Sequence, residues 1–230
     1  MIDITRYSLQ NKNIKSKKIL FISDTHSEVF SEIDDILHNE HFDLVLLTGD
    51  IIDRDELRDD WNEILFWLKQ VNQKVPVFAS LGNHEIQYGE KAKIVRKLKE
   101  TGIVVLDNAY EKFDDIFLYG YTPQMFKSDK YPNNFPTEKT KTICLCHRPN
   151  DFYETNLINE DFLLTVSGHA HGGQWRLFGL SAYSPQQGFF PKYTSGFYFN
   201  NKLLVTRGLG NKTPLPRINN KPEIIILQIN

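Results

Sequence analysis

Five short apolar runs constrain this chain most: KILFISD (18–24), DLVLLTGD (43–50), PVFASLGNH (76–84), TICLCHRP (142–149) and FLLTVSGHAH (162–171). Runs of this length, rich in Ile, Leu and Val and without polar alternation, read as strands buried on both faces. Sheets covered by helices on either side produce that pattern. The segments between them carry helical periodicity. Across 55–74, Leu57, Trp61, Ile64, Leu65, Leu68 and Val71 recur at three- and four-residue intervals, with acidic residues early and lysines late, as a helix dipole favours. Residues 90–102 give a second amphipathic helix closed by Gly102, and 31–42 a third, with His38 and His41 expected in solvent. GFYFNNKLLVTRG predicts a hairpin turning at Asn200-Asn201, and PEIIILQIN a last strand. Strand and helix alternate first, and strands dominate the second half.

At 230 residues the chain can bury one sizeable core. No repeat or long linker divides it, so a single domain over 1–230 is expected. Lys and Arg number 27 against 29 Asp and Glu, a formal charge of -2 that lacks the basic footprint of a general nucleic-acid binder. No specific nucleic-acid binding is expected. Cys144 and Cys146 alternate along one run and share a strand face, poorly placed to bridge each other. They read as buried free thiols in a reducing compartment; a thiolate ligand pair is the alternative, against which their close spacing counts. No apolar stretch has signal-peptide form or approaches the roughly 20 residues of a membrane helix, so a cytoplasmic location is expected. Peripheral membrane contact is compatible with this, and no oligomeric state follows.

Each apolar run ends in residues able to bind metal: Asp24-Thr-His26, Gly49-Asp50, Gly82-Asn83-His84, His147, and Gly168-His169-Ala-His171. Ligands of open α/β sheets gather at the carboxyl ends of strands, so residues distant in sequence can converge there. Five of the seven histidines fall at these endings. Any one fragment is weak evidence, since a single His or Gly-Asp at a strand end is usually structural, but five coincident endings are not. Imidazole and carboxylate without thiolate suit Mn, Fe or Zn better than Ca, which prefers oxygen alone. The Gly172-Gly173-Gln174 triplet also matches the GGQ of release factors, a reading that the charge balance opposes.

Taken in order, Asp24-x-His26, Gly49-Asp50-x-x-Asp53, Gly82-Asn83-His84-Glu85, His147 and Gly168-His169-x-His171 resemble the motif set of the calcineurin-like metallophosphoesterases. The GHAHGGQW segment and the tail VTRGLGNKTPLPRINNKPEIIIL are similar to the YkuE-like bacterial phosphodiesterase branch. The resemblance implies a four-layer α/β/β/α sandwich with two mixed sheets. It implies two divalent metal ions (Mn, Fe or Zn): one held by Asp24, His26 and His171, the other by Asn83, His147 and His169, with Asp50 bridging. His84 would face the substrate phosphate and protonate or stabilise the leaving group, alongside Asn83. Asp53 would orient a neighbouring group. Glu85 stands where many relatives carry Asp. The implied reaction is hydrolysis of a phosphodiester or pyrophosphate in a small-molecule or lipid-linked substrate. Two metals clamp the phosphate and lower the pKa of a bridging water, which attacks as hydroxide.

Arg148, next to His147, and Arg217 in the tail are candidates for phosphate contact or for structural ion pairs. Lys127 and Lys130, in an aromatic, Pro-rich segment, can line a substrate entrance or belong to a solvated loop. Phosphomonoesterase activity is the nearest alternative. An amidohydrolase normally carries its HxH near the N-terminus, and a non-catalytic scaffold normally loses ligands or the phosphate-facing His. Neither feature is found here.

Overall fold

All five apolar runs are strands in the computed structural model, which describes residues 1–53, 61–87, 90–123, 134–184, 187–211 and 213–230. In chain order the elements are β1 (Asp3–Leu9), β2 (Lys17–Ile22), α1 (Ser31–Asn39), β3 (Leu44–Thr48), α2 (Asn62–Lys74), β4 (Val77–Ser80), α3 (Asn83–Ile86), α4 (Lys91–Glu100) and β5 (Val104–Leu106). The second half follows as β6 (Ala109–Phe113), β7 (Ile116–Tyr121), β8 (Thr142–Cys146), α5 (Pro149–Glu154), β9 (Leu164–Ser167), β10 (Trp175–Leu177), β11 (Leu180–Ser184) and β12 (Gly188–Phe189). The chain closes with β13 (Gly196–Tyr198), β14 (Leu203–Val205) and β15 (Glu223–Ile229).

Two six-stranded mixed sheets result, ordered β1-β15-β2-β3-β4-β5 and β13-β14-β9-β8-β7-β6. In the first, β2 to β5 run parallel and β15 enters antiparallel beside β2. In the second, β7, β8, β9 and β14 run parallel, with antiparallel β6 and β13 at the edges.

Three buried clusters define the layers. Ile19, Phe21, Leu44 and Leu46 from the first sheet pack with Leu118, Ile143, Leu145 and Val166 from the second, filling the space between the sheets. The outer face of the first sheet buries Leu20, Val45 and Leu47 against Ile33 and Leu37 of α1, Trp67, Leu68 and Val71 of α2, and Ile94 and Leu98 of α4. The outer face of the second carries Tyr119, Cys144 and Cys146 under Phe152 of α5 and Leu157. The order is therefore helix, sheet, sheet, helix, the expected four-layer sandwich. Successive residues of β2, β3 and β8 belong to different clusters, which is why their runs show no polar alternation.

α2 is described from Asn62, so the first turns expected from Leu57 lie outside the described residues. α4 ends before Gly102, whose φ of +90° continues the chain in a conformation costly to other residues. His38 and His41 are exposed, and both cysteines are buried free thiols. The Asn200-Asn201 turn joins β13 and β14, as its composition predicts. β1 and the small sheet β10-β11-β12 were not expected. Among the described residues no helix is long and apolar enough to cross a membrane.

Candidate metal centre

The five strand endings meet where the two sheets end side by side. Asp24, His26, Asp50, His169 and His171 all hold left-handed backbone, with φ of 57°, 48°, 48°, 66° and 46°. Non-glycine residues pay of order 1 kcal/mol or more for such conformations, which persist where the surroundings enforce them. Here the enforcement is mutual. The Asp24 N–H donates to Gly49 O at 3.1 Å, the His26 N–H to Asp50 O at 3.0 Å, and the Gly210 N–H to Asp24 O at 2.7 Å. The backbones also approach closely enough to require glycine. A Cβ on Gly82 would overlap the Asp50 carboxylate, and one on Gly168 would overlap Ser23 Oγ and the Asp24 carboxylate.

The side chains fall into two adjoining clusters, Asp24–His26–His171 and Asp50–His147–His169, within each of which one ligand atom per residue lies within 4.8 Å of the others. In the first, His171 Nε2 is 3.4 Å from His26 Nε2 and 3.6 Å from Asp24 Oδ1. In the second, His147 Nε2 is 3.2 Å from both Asp50 Oδ2 and His169 Nδ1. His84 joins them: its Nε2 is 3.9 Å from Asp50 Oδ2, and its ring centroid is 4.6 Å from that of His26. Asp53 Oδ1 lies 3.7 Å from His84 Nδ1, forming a third grouping with His26.

Two backbone carbonyls orient the rings. His147 Nδ1 is 2.5 Å from Thr48 O, and His171 Nδ1 is 3.1 Å from Gly210 O. A carbonyl only accepts, so His147 Nδ1 donates to Thr48 O, and with Nδ1 of both rings turned to the backbone each ring faces its Nε2 inward. The Nε2 atoms of His26, His147 and His171 and the carboxylates of Asp24 and Asp50 thus converge in a buried space, a donor set in which a bound cation would displace the proton that Asp50 otherwise favours on His147. Asn83 Oδ1 is likewise buried with no hydrogen-bond partner among the described residues. These donors fit a divalent metal.

Electrostatics carry the same imprint. Burial lowers His26 and His169 to about 3, the second aided by neighbouring His147. Burial also opposes charge on His147, but the charge and hydrogen bond of Asp50 outweigh it and raise the ring to about 10. Asp24 and Asp50 stay below the ordinary carboxylate range despite burial, because the surrounding histidines stabilise their charge.

Several residues support the loops that carry the site. The fully buried Glu85 carboxylate accepts the N–H groups of Asp50 at 3.0 Å, Ile51 at 2.8 Å, Ile52 at 2.9 Å and Gly82 at 2.7 Å, holding the two loops together. Burial, then the Asp50 charge, raises its carboxyl to about 7, against the pull of the Ile52 and Gly82 N–H groups. Arg217 directs its guanidinium to the carbonyls of Arg207, Gly208 and Gly210, the last being the acceptor for His171. It is a support for the His171 loop, the structural one of the two roles considered from sequence. Asn220 Nδ2 donates to His171 O at 2.7 Å, and Gln174 Nε2 to Asn211 Oδ1 at 3.0 Å and to Leu215 O. Gln174 thus ties the tail to the loop. Arg148 is half-buried and lies 3.8 Å from Asp151, while Lys127 and Lys130 lie outside the described residues.

A model of the calcineurin-like phosphoesterase family matches residues 17–173. Among curated relatives, the uncharacterized metallophosphoesterase YkoQ of Bacillus subtilis is 25% identical over 235 residues, covering 94% of this chain and 84% of the relative. The uncharacterized metallophosphoesterase YkuE of the same organism is 27% identical over 252 residues, covering 100% and 86%. The phosphodiesterase YaeI of Escherichia coli is 28% identical over 239 residues, covering 97% and 86%.

Proposed function

The chain belongs to the calcineurin-like phosphoesterase family, and on that premise we propose that it hydrolyses phosphodiesters through a dinuclear metal site, as a single domain over residues 1–230. The observation that carries the reading is the pair of adjoining clusters, Asp24–His26–His171 and Asp50–His147–His169, with the orphaned Asn83 Oδ1 on a neighbouring loop. Asp24, His26 and His171 would hold one ion and Asn83, His147 and His169 the other, with Asp50 between them. Two bound cations would supply positive charge to the phosphoryl oxygens and make a water acidic enough to attack near neutral pH.

The chain's own groups do the rest. Thr48 O and Gly210 O anchor Nδ1 of His147 and His171 and so face their Nε2 atoms inward, where a bound cation would displace the proton that Asp50 favours on His147. Glu85 sets the Asp50 loop against the turn that carries Asn83 and His84. His84 stands beside both clusters with Asp53 behind its Nδ1, so a proton held on that ring can pass to the departing alkoxide. The likeness to the phosphodiesterase YaeI favours diesters over monoesters as substrates.

The test is hydrolysis of bis(p-nitrophenyl) phosphate and p-nitrophenyl phosphate by protein loaded in turn with Mn, Fe and Zn, with metal content measured on the same samples. Close to two equivalents of metal and faster turnover of the diester are expected. Metal-free protein with no turnover after any loading would overturn the reading.

A further inference from the structure

The small sheet β10-β11-β12 begins four residues after His171 and carries apolar side chains that the rest of the fold leaves bare. Leu177 is 58% exposed, Phe178 103%, Leu180 75%, Phe189 74% and Phe190 80%. Leu177 and Leu180 are cross-strand partners and so share one face of the hairpin, while Phe178 occupies the turn between them. Behind this tip the half-buried rings of Trp175 and Tyr183 and the exposed ring of Phe189 form a tilted row, with centroids 5.2 Å apart at each step. A cavity of about 410 Å³ opens alongside, walled by Leu180, Phe190 and Pro191 and carrying Arg176 and Lys192. Contiguous exposed apolar groups of this extent mark an interaction surface.

The charge around the patch identifies its partner. Lys192 is exposed beside the patch and Arg176 lies half-buried in the same cavity wall, and although acidic residues outnumber basic ones over the whole chain, the sequence holds no Asp or Glu from Phe162 to Pro222. We propose that the β10-β12 hairpin docks on an anionic lipid surface, inserting Phe178, its flanking leucines and Phe189 among the acyl chains, with Trp175 and Tyr183 at headgroup depth and Lys192 among the headgroups. A rigid protein partner would have to enclose a turn tip whose phenyl ring is fully exposed. An acyl layer does so without complementary shape. Because the hairpin is rooted at His171, docking brings the lipid surface up to the candidate metal centre.

The experiment is flotation of the full chain with vesicles of equimolar phosphatidylglycerol and phosphatidylcholine, against vesicles of phosphatidylcholine alone. Strong flotation is expected only with the anionic vesicles, falling at least about tenfold when salt screens the headgroups. The Phe178→Ser/Leu180→Ser/Phe189→Ser variant should lose binding at least about tenfold while keeping the parent's thermal midpoint and turnover of bis(p-nitrophenyl) phosphate. Phe178→Ser alone, at a fully exposed position, gives the same direction should the triple variant fold poorly. Absence of flotation, equal flotation of the variants, or a dimer in lipid-free solution that the variants dissociate would overturn the proposal. Soluble-substrate turnover reads the phosphoesterase function separately, so the two can fail independently.

Discussion

The buried Glu85 carboxylate accepts the backbone N–H of Asp50 at 3.0 Å, and its two oxygens accept three further N–H groups from Ile51, Ile52 and Gly82. A side chain that touches none of the candidate ligands' donor atoms thereby sets the position of the residue between the two clusters. Glu85→Gln keeps the size but turns an NH2 toward two of these four donors. Leaving buried donors opposed and unpaired costs about 2–4 kcal/mol. The expected outcome is a lower urea midpoint together with less metal bound per chain; an unchanged protein would refute the positioning role.

His84 and His169 should separate cleanly by substitution. His84 lies beside both clusters but is assigned no metal, so His84→Asn should retain metal while kcat falls at least about a hundredfold, the usual worth of a positioned proton donor. His169→Ala removes a member of the Asp50–His147 cluster and should lose metal. Metal analysis paired with turnover of bis(p-nitrophenyl) phosphate checks both. Full activity in His84→Asn would exclude the proton-transfer role.

The strands that carry the site are legible in sequence because both their faces are buried, which leaves no polar alternation in β2, β3 or β8. The site residues are legible for a chemical reason: cation binding restricts side-chain type, and His, Asp and Asn recur at strand ends. β1 is harder to find. It alternates half-buried and exposed positions, and its partner β15 lies at the opposite end of the chain, so no turn links them. The supports of the site are harder still. Thr48 O and Gly210 O orient two rings, but a carbonyl acceptor is common to every residue and leaves no trace in the sequence. Arg217 is visible as a charge, but only the fold reveals that its donors face carbonyls.

Gly168 tests how tightly the endings of β2 and β9 are packed. A methyl group there would press on Ser23 Oγ and on the Asp24 carboxylate, with Ser23 Cβ at 2.6 Å. Neither neighbour is the far end of a flexible side chain, so the backbone or Asp24 must move. Gly168→Ala is expected to cost about 1–3 kcal/mol and to weaken metal binding, since displacing Asp24 disturbs the first cluster. Thermal melting and metal titration check the pair of effects, and a variant equal to the parent in both would contradict the close packing.

The last prediction concerns stability far from the site, where Glu40 receives Arg6 at 3.0 and 2.5 Å and Lys18 at 2.8 Å. The Arg6 hydrogen bond, then that of Lys18, lowers the Glu40 carboxyl from 4.5 to about 2. A carboxylate whose pKa is depressed by folding stabilises the native state fully above its unfolded value, and this contribution disappears as pH falls through the folded value. The window is therefore from about pH 4.5 down to about 2. Because the group is partly solvated, its contribution is reduced to about 1 kcal/mol and should weaken with salt. Glu40→Gln is expected to be less stable than the parent at pH 7 by this amount, with the difference shrinking as the pH is lowered through the window. Urea denaturation of both proteins at several pH values measures it. A gap that stays constant down to the acid end would mean that packing, and not charge, holds Glu40 in place.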